Sequence, residues 1–336
     1  MYNVLIVDDE ALMRKALMTI VKGIEGFEVS DCVSSGEEAV KVCREKEIHI
    51  VFMDIALPGI TGIEAAHRIS KVSPATEIFV ISVLGSFEVI RQTLTSKIRD
   101  YLVKPVSFSD IEQLLKTYTR DQEKDQSISL KMLKLYRDRK YQVMLKQIPK
   151  EVHEIFQHNQ GNKELLTRKF MQIADWIMKE AVPYAYKDLD LGARFPVNEV
   201  FAGEEIAWIF WMTDVMDYIF RTGITHKHDY LKPVFEFIDN ETKNDINLSG
   251  ICEACNISQS YLSKLFRRYF DVSVMDYIHL RKLMKAKMYI VFTDLSMTQI
   301  GHHTGYNDGS YFSKVFKKYE GMSPKQFKKA FPGTEK

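Results

Sequence analysis

Five polar side chains in the first third of the sequence stand at or directly after the ends of short apolar runs. An aspartate becomes an effective phosphoryl acceptor when cations draw off the charge of the transferring group. Three of the five are carboxylates, the hard oxygen ligands that a metal ion needs, while the others supply a fixed ammonium and a hydroxyl donor. The residue types indicate phosphoryl chemistry at Asp8, Asp9, Asp54, Ser82 and Lys104.

Alternating strands and helices over residues 1–120 would bring these side chains together. The apolar runs predict strands at Val4–Val7, Phe27–Val33, Ile48–Met53, Ile78–Ile81 and Tyr101–Val103. Helices are predicted between and after them, at Leu12–Val21, Glu37–Lys46, Thr61–Lys71, Phe87–Thr95 and Ile111–Tyr118. Such alternation is typical of a parallel sheet covered on both faces. Ligands bind beyond the carboxyl ends of these strands, so we expect the five side chains to converge.

The motifs Val7–Glu10, Met53–Gly59 and Asp100–Pro105, together with Ser82, resemble the receiver domain of two-component response regulators. The resemblance covers residues 1–120 and implies a flavodoxin-like, doubly wound sheet of five parallel strands. It implies that Asp54 accepts a phosphoryl group from a partner histidine kinase.

The same resemblance assigns the neighbours of Asp54. It implies Mg²⁺ held by Asp9, Asp54 and the backbone carbonyl of Ala56, with Asp8 in support. Ser82 and Tyr101 would be a switch pair, in which the hydroxyl moves onto the phosphoryl group and the ring moves inward. Lys104 would contact the phosphoryl group, and the Lys104–Pro105 peptide would be cis.

The middle of the chain, residues 121–228, predicts helices without a chemical motif. Leu166 to Ile177 keeps helical apolar spacing, whereas Ile206–Phe220 is apolar nearly all round. The second stretch fits either a dimer interface or an internal helical core, and both stay open. The region could also sense a ligand or act as a spacer.

The last third, residues 229–336, contains an internal repeat. Ser260–Tyr269 recurs fifty positions later as Ser310–Tyr319, with six of ten positions identical. Each copy follows a predicted short helix and a turn, which is the helix-turn-helix pattern. Lysine and arginine in this tract supply attraction to phosphates, and a helix in the major groove supplies base readout.

This tract resembles the AraC-type DNA-binding domain, which has seven helices and two helix-turn-helix units joined by a long helix. The resemblance implies that promoter DNA is the partner, with RNA polymerase and a second copy of the chain as further partners left open. It implies base contacts by Ser260, Ser263, Lys264, Gly309, Ser310, Ser313 and Lys314, and phosphate contacts by Arg267, Arg268, Lys317 and Lys318.

Length and composition limit the number of domains and the class of protein. A chain of 336 residues predicts two or three domains, divided here as 1–120, 121–228 and 229–336. The net charge is +1, but it runs from −3 in the first part to +4 in the last, which fits different partners at the two ends. Four cysteines do not make a disulfide framework, and no apolar run reaches the roughly 20 residues of a membrane span. No leader sequence precedes the first strand, so we expect a cytoplasmic protein.

Two alternatives belong to other functional classes. An aspartyl-phosphate enzyme of the haloacid dehalogenase kind would carry a second aspartate two residues after the nucleophile, where this chain has Ala56. A transcription factor with an inert receiver could instead bind a small molecule near Trp176, Trp208 and Trp211. We favour a phosphorylation-controlled transcriptional regulator and expect no enzyme.

Overall fold

The computed structural model describes residues 1–83, 98–159, 162–187, 189–197, 201–241 and 246–331. The predicted helix Phe87–Thr95 lies outside these residues. The contacts divide the chain into two compact units. The first unit contains Met1–Ser127, Ile155–Ile173 and Asn198–Gly203, and the second contains Ile128–Glu154, Ala174–Val197 and Glu204–Lys336.

Five parallel strands form the sheet of the first unit. They are β1 (Tyr2–Val7), β2 (Phe27–Val33), β3 (Ile50–Asp54), β4 (Glu77–Ser82) and β5 (Asp100–Val103), in the order β2-β1-β3-β4-β5. That order is the flavodoxin-like one, and its switch point lies between β1 and β3. The predicted doubly wound parallel sheet is confirmed.

Both faces of the sheet are covered because successive strand residues point to opposite sides. On one face Val4, Ile6 and Phe52 pack with residues of helices Ala11–Lys22 and Phe108–Arg137. On the other face Leu5, Val7 and Met53 pack with residues of helices Gly36–Glu45 and Gly62–Val72. The strands are therefore apolar on both sides, as the continuous apolar runs indicate.

Helices account for most of the described chain after β5. The helix predicted at Ile111–Tyr118 is longer, running from Phe108 to Arg137, because the buried side chains Ile128, Met132 and Leu133 continue its apolar stripe. The others that precede the repeat are Tyr141–His158, Lys163–Ala181, Pro183–Tyr186, Leu191–Arg194, Glu205–Thr225 and Lys232–Asn240.

The apolar helix Glu205–Thr225 forms the core of the second unit. Trp208, Val215, Met216 and Ile219 are all nearly inaccessible to solvent. The sequence left a dimer interface and an internal helical core open for this stretch, and these four side chains belong to an internal core because the chain's own helices already cover them. Burial within one chain removes the apolar surface that a second copy would have needed.

One charged side chain interrupts this core. Asp217 is only 3% exposed, and its carboxylate accepts hydrogen bonds from the hydroxyls of Tyr141 and Tyr277 at 2.6 and 2.8 Å. Arg221 Nε and Arg281 Nη1 lie 2.7 and 3.3 Å from the second carboxylate oxygen. The buried carboxylate thus has two hydrogen-bond donors and two ion-pair partners, drawn from helices Tyr141–His158, Glu205–Thr225 and Val274–Phe292.

The repeated tract folds as two helix pairs joined by the long helix Val274–Phe292. The first pair is Leu248–Ala254 and Gln259–Phe270, and the second is Met297–His303 and Gly309–Glu320. With Lys232–Asn240 and Pro324–Ala330, the described residues contain the seven helices that the resemblance implies.

Left-handed residues shape the turns of both pairs. Asn256 (φ 50°) and Gly305 (φ 72°) stand between the helices of the first and second pair, respectively. Asp271 and Gly321, fifty positions apart, end the two longer helices in the same conformation. Glycine and asparagine tolerate this region best, so the turn residues suit the helix-turn-helix geometry.

The division at residues 120 and 228 stays a prediction. The helix Phe108–Arg137 runs continuously through the first of these boundaries. Within the described ranges, every helix is too short or too polar to cross a membrane.

Candidate functional site

Three carboxylates meet at the carboxyl edge of the sheet. Asp8 follows β1 and Asp54 ends β3, and these strands are neighbours in the sheet. Asp8, Asp9 and Asp54 each place a carboxylate oxygen within 4.8 Å of the others. Asp8 and Asp54 are buried, whereas Asp9 is exposed. The predicted convergence of the three aspartates is confirmed.

Lys104 joins this cluster from the end of β5. Its ammonium donates to Asp8 Oδ2 at 2.8 Å and to Asp54 Oδ2 at 2.5 Å. Burial lowers the pKa of Lys104, but the hydrogen bonds and charges of Asp54 and Asp8 outweigh burial and raise it above its usual value. Lys104 is therefore a permanent cation at the site. The peptide bond to Pro105 is cis, as predicted.

The remaining predicted residues lie around the cluster. Ser82 is the last residue of β4 and follows Ile81, which pairs with Asp54. Tyr101 lies on β5, where it pairs with Val80 of β4, and it is 40% exposed. Ala56 donates its backbone N–H to Asp54 Oδ1 at 3.2 Å. Ser82 is thus placed at the same sheet edge, and the ring of Tyr101 points away from the core.

Two supporting residues were not recognised from the sequence. Arg14 Nη1 donates to the backbone carbonyls of Asp8 and Asp9 at 2.7 and 3.0 Å, which holds the acidic turn. A Cβ on Gly62 would lie 2.0 Å from the Asp54 carbonyl oxygen, so only glycine permits the first turn of helix Gly62–Val72 to approach the acceptor. The glycine directly after Thr61, which caps this helix, is the one sequence signal for this contact.

The donor set of the cluster fits a hard divalent cation. The Lys104 ammonium bonds two of the three carboxylates, Asp8 and Asp54, which leaves an excess of negative charge at the edge of the sheet. Mg²⁺ binds through one or two carboxylates and keeps several waters, so it needs an open side. The exposed Asp9 supplies that open side.

The second helix of each pair is the candidate DNA-reading element. We call Gln259–Phe270 the first recognition helix and Gly309–Glu320 the second. Every predicted contact residue on them is at least partly exposed. Ser263 and Gly309 are half-buried, and the exposed ones are Ser260, Lys264, Arg267, Arg268, Ser310, Ser313, Lys314, Lys317 and Lys318.

The opposite face of each recognition helix packs into the core. The buried side chains are Leu262, Leu265, Phe266, Phe312, Val315 and Phe316. A recognition helix must pack one face on its own domain and present the other to the groove. The burial pattern of both helices meets that requirement.

Both recognition helices carry an exposed tyrosine at the same position of the repeat, which is not among the predicted contact residues. Tyr261 and Tyr311 are 43% and 51% exposed, and each lies three residues before a predicted base-contact lysine. The Tyr261 hydroxyl lies 2.5 Å from that of Tyr230, which precedes the first helix pair. Their identity across the repeat was the available signal.

Comparison with known proteins assigns both ends of the chain. Residues 4–116 match the model of the response regulator receiver domain, and residues 251–330 match a helix-turn-helix domain. CheY, a chemotaxis protein of Thermotoga maritima, is 36% identical over 34% of this chain and 93% of its own length.

Similarity also extends along the whole chain. The uncharacterized transcriptional regulatory protein YesN of Bacillus subtilis is 26% identical over 99% of both chains. Among solved structures, the C-terminal domain of the response regulator yesN from Fusobacterium nucleatum is 30% identical, covering 28% of this chain and 92% of that one with a TM-score of 0.27. The chain belongs to the response regulators of two-component systems, with a receiver domain followed by an AraC-type helix-turn-helix domain that binds DNA to regulate transcription.

Proposed function

We propose that Asp54 accepts a phosphoryl group from a sensor histidine kinase and thereby controls promoter binding by the two recognition helices. The observation that supports this most directly is the meeting of Asp8, Asp9, Asp54 and Lys104 at one edge of the sheet. Strand ends are often polar, but a carboxylate cluster around a half-buried ammonium is well suited to phosphoryl transfer.

Asp54 is oriented for attack before the donor arrives. The Ala56 N–H holds one carboxylate oxygen and Lys104 holds the other. Attack by a carboxylate oxygen forms the new O–P bond while the P–N bond to the kinase histidine breaks, and the histidine leaves with the electron pair. Lys104 then shares its ammonium with the phosphoryl oxygens, which stabilises the charge they gain.

Asp8, Asp9, Asp54 and the Ala56 carbonyl would hold Mg²⁺. The bound ion supplies additional neutralisation of the transferring group. The exposed Asp9 would bind the ion from the solvent side, and the buried Asp8 accepts a hydrogen bond from Lys104.

Ser82 and Tyr101 would report the phosphoryl group to the rest of the molecule. Ser82 ends β4 at the edge of the sheet where Asp54 ends β3, so its hydroxyl would donate to a phosphoryl oxygen, and the exposed ring of Tyr101 would turn inward. A two-state receiver shifted in this way would change promoter affinity. RNA polymerase and a second protomer are further candidate partners, and such a regulator would work in the cytoplasm.

Labelling with acetyl phosphate and Mg²⁺ tests the acceptor. We expect one acid-stable, base-labile phosphoryl group per wild-type chain and none in Asp54→Asn. Asp31→Asn is the matched control, because Asp31 lies on β2 away from the cluster and pairs with Lys46 at 3.0 Å. Label on Asp54→Asn at the wild-type level would show that another residue is the acceptor.

A base-by-base substitution scan of the binding site tests the DNA contacts. Lys264 and Lys314 hold equivalent positions of the repeat, so Lys264→Ala and Lys314→Ala should each lose about 1–3 kcal/mol at different base pairs. Arg268→Ala and Lys318→Ala should instead weaken binding to all sequences alike and reduce the salt dependence. If the two lysine variants lose preference at the same base pairs, or at none, the two helices do not read separate grooves.

A further inference from the structure

A cleft of about 380 Å³ lies inside the second unit, at the meeting of three helices and the end of the second recognition helix. Its lining comes from helices Tyr141–His158, Glu205–Thr225 and Val274–Phe292 and from residues 318–321. The volume falls within the range of pockets that hold small molecules in proteins. None of the three tryptophans lines the cleft.

The lining combines an apolar surface with an unusual concentration of positive charge. The apolar part consists of Leu145, Pro149, Ile209, Leu280 and Met284. The charged part contains one carboxylate, Glu320, against the four cations Lys146, Arg281, Lys287 and Lys318. Apolar walls with a few convergent charged groups are the usual composition of a site for an amphipathic ligand.

Two of these cations are already neutralised and two are not. Lys287 Nζ lies 3.0 Å from Glu320, and Arg281 Nη1 lies 3.1 Å from Asp214. Lys146 and Lys318 are exposed, and no carboxylate in the described part of the chain lies within 4.0 Å of either ammonium. Lys318 Nζ lies 4.8 Å from the centroid of the Tyr319 ring, a contact that leaves its positive charge in place, so both ammonium groups remain available to an anion.

We propose that this cleft binds a small amphipathic anion, with its apolar body against Leu145, Ile209 and Met284 and its acidic group at Lys146 and Lys318. The inference goes beyond the proposed function, because binding here requires neither Asp54 nor DNA. Since Lys318 is also a proposed phosphate contact, an occupied cleft would draw one cation away from the DNA.

Two dyes that differ by one charge test the proposal on the full chain. 8-Anilinonaphthalene-1-sulfonate carries a sulfonate, whereas N-phenyl-1-naphthylamine has the same rings without it. We expect saturable binding of one sulfonate dye per chain, about tenfold tighter than the neutral dye, by fluorescence titration. Unsaturable binding, or equal affinity for the two dyes, would overturn the assignment.

Charge reversal then locates the site. Lys146→Glu should weaken the sulfonate dye by about tenfold and leave the neutral dye unchanged. Lys150→Glu is the matched control, since Lys150 is an exposed lysine of the same helix that does not line the cleft. Equal affinity of the sulfonate dye for both variants would also overturn the proposal.

Discussion

The strand-end aspartates and the buried Asp217 differ in how much positive charge surrounds each carboxylate. At the sheet edge, one ammonium donates to two of three neighbouring carboxylates, and the third, Asp9, faces solvent. In the helical core, the single carboxylate of Asp217 forms ion pairs with two arginines and accepts hydrogen bonds from two tyrosine hydroxyls. The first cluster carries more negative charge than its one ammonium offsets and can bind a further cation, whereas the charge of Asp217 is already offset by two arginines.

The difference separates a reactive carboxylate from a structural one. A nucleophile must keep a lone pair accessible and must tolerate a change of charge when the phosphoryl group arrives. Asp217 can do neither, because every direction around it is filled and desolvation makes the loss of any partner costly. Burial alone does not distinguish them, since Asp54 and Asp217 are 6% and 3% exposed.

Removal of Mg²⁺ should separate the two clusters most sharply. With EDTA present we expect phosphoryl labelling by acetyl phosphate to fall to background, because one ammonium cannot offset three carboxylates and the incoming group. Unfolding followed by tryptophan fluorescence should not change, since Trp176, Trp208 and Trp211 all belong to the second unit. Labelling that continues unchanged in EDTA would remove the metal from the proposal.

Neutralising Asp217 should produce the opposite result. Asp217→Asn removes the one carboxylate that Arg221 and Arg281 share and leaves them only their partly exposed partners Asp239 and Asp214, so we expect the free energy of unfolding to fall by about 3–5 kcal/mol. Asp214→Asn is the control: its side chain contacts the same Arg281 but is 44% exposed, so the loss should stay within about 1 kcal/mol. Urea titration followed by tryptophan fluorescence measures both.

The comparison depends on Asp217→Asn keeping the receiver intact. Labelling of Asp54 in this variant should match the wild type, because the two carboxylates belong to different units. Equal losses of stability in Asp217→Asn and Asp214→Asn would show that the buried network contributes no more to the free energy of unfolding than an exposed ion pair.

Relief of charge repulsion is a smaller effect at the sheet edge. Asp9→Asn removes one of three neighbouring carboxylates, so without Mg²⁺ the strands β1 and β3 should exchange amide hydrogens more slowly than in the wild type. Mg²⁺ should protect these strands in the wild type and add little in the variant. Hydrogen-exchange mass spectrometry measures this, with the exposed Glu25→Gln as a control that should change neither value.

Sequence reasoning found the strand-end cluster because the strands are parallel. Their carboxyl ends must meet at one edge, so residues as distant as Asp8 and Lys104 could be placed together from the apolar runs alone. The repeat made the recognition helices equally accessible to prediction, because the exposed and buried positions of Ser260–Tyr269 recur fifty residues later in Ser310–Tyr319, with a difference only at Ser263 and Ser313.

Asp217 could not be assigned in the same way. It is a single aspartate in an apolar helix, and its partners Tyr141 and Tyr277 lie 76 and 60 residues away on other helices. No local pattern encodes how three helices pack, so the sequence could not distinguish a self-covered core from a dimer interface. The length of helix Phe108–Arg137 was missed for a similar reason, because tertiary burial of Met132 and Leu133 extends it.

The smallest expected effect is the pH dependence of the buried carboxylate. Burial raises the pKa of Asp217, but Arg221, Arg281 and the two tyrosine hydroxyls outweigh burial and lower it below its usual value. A group whose pKa is lower when folded stabilises the protein above its unfolded pKa, and this contribution disappears as the pH falls through the folded pKa. The stability gap between wild type and Asp217→Asn should therefore be constant from pH 7 to about 5 and narrow below about 4.

Urea titrations at each pH, followed by tryptophan fluorescence, measure the gap, and the difference between variants cancels the titration of all other groups. A gap that keeps its full size at about pH 3 would show that the arginines do not hold the pKa of Asp217 down, and its contrast with the strand-end aspartates would then be one of packing alone.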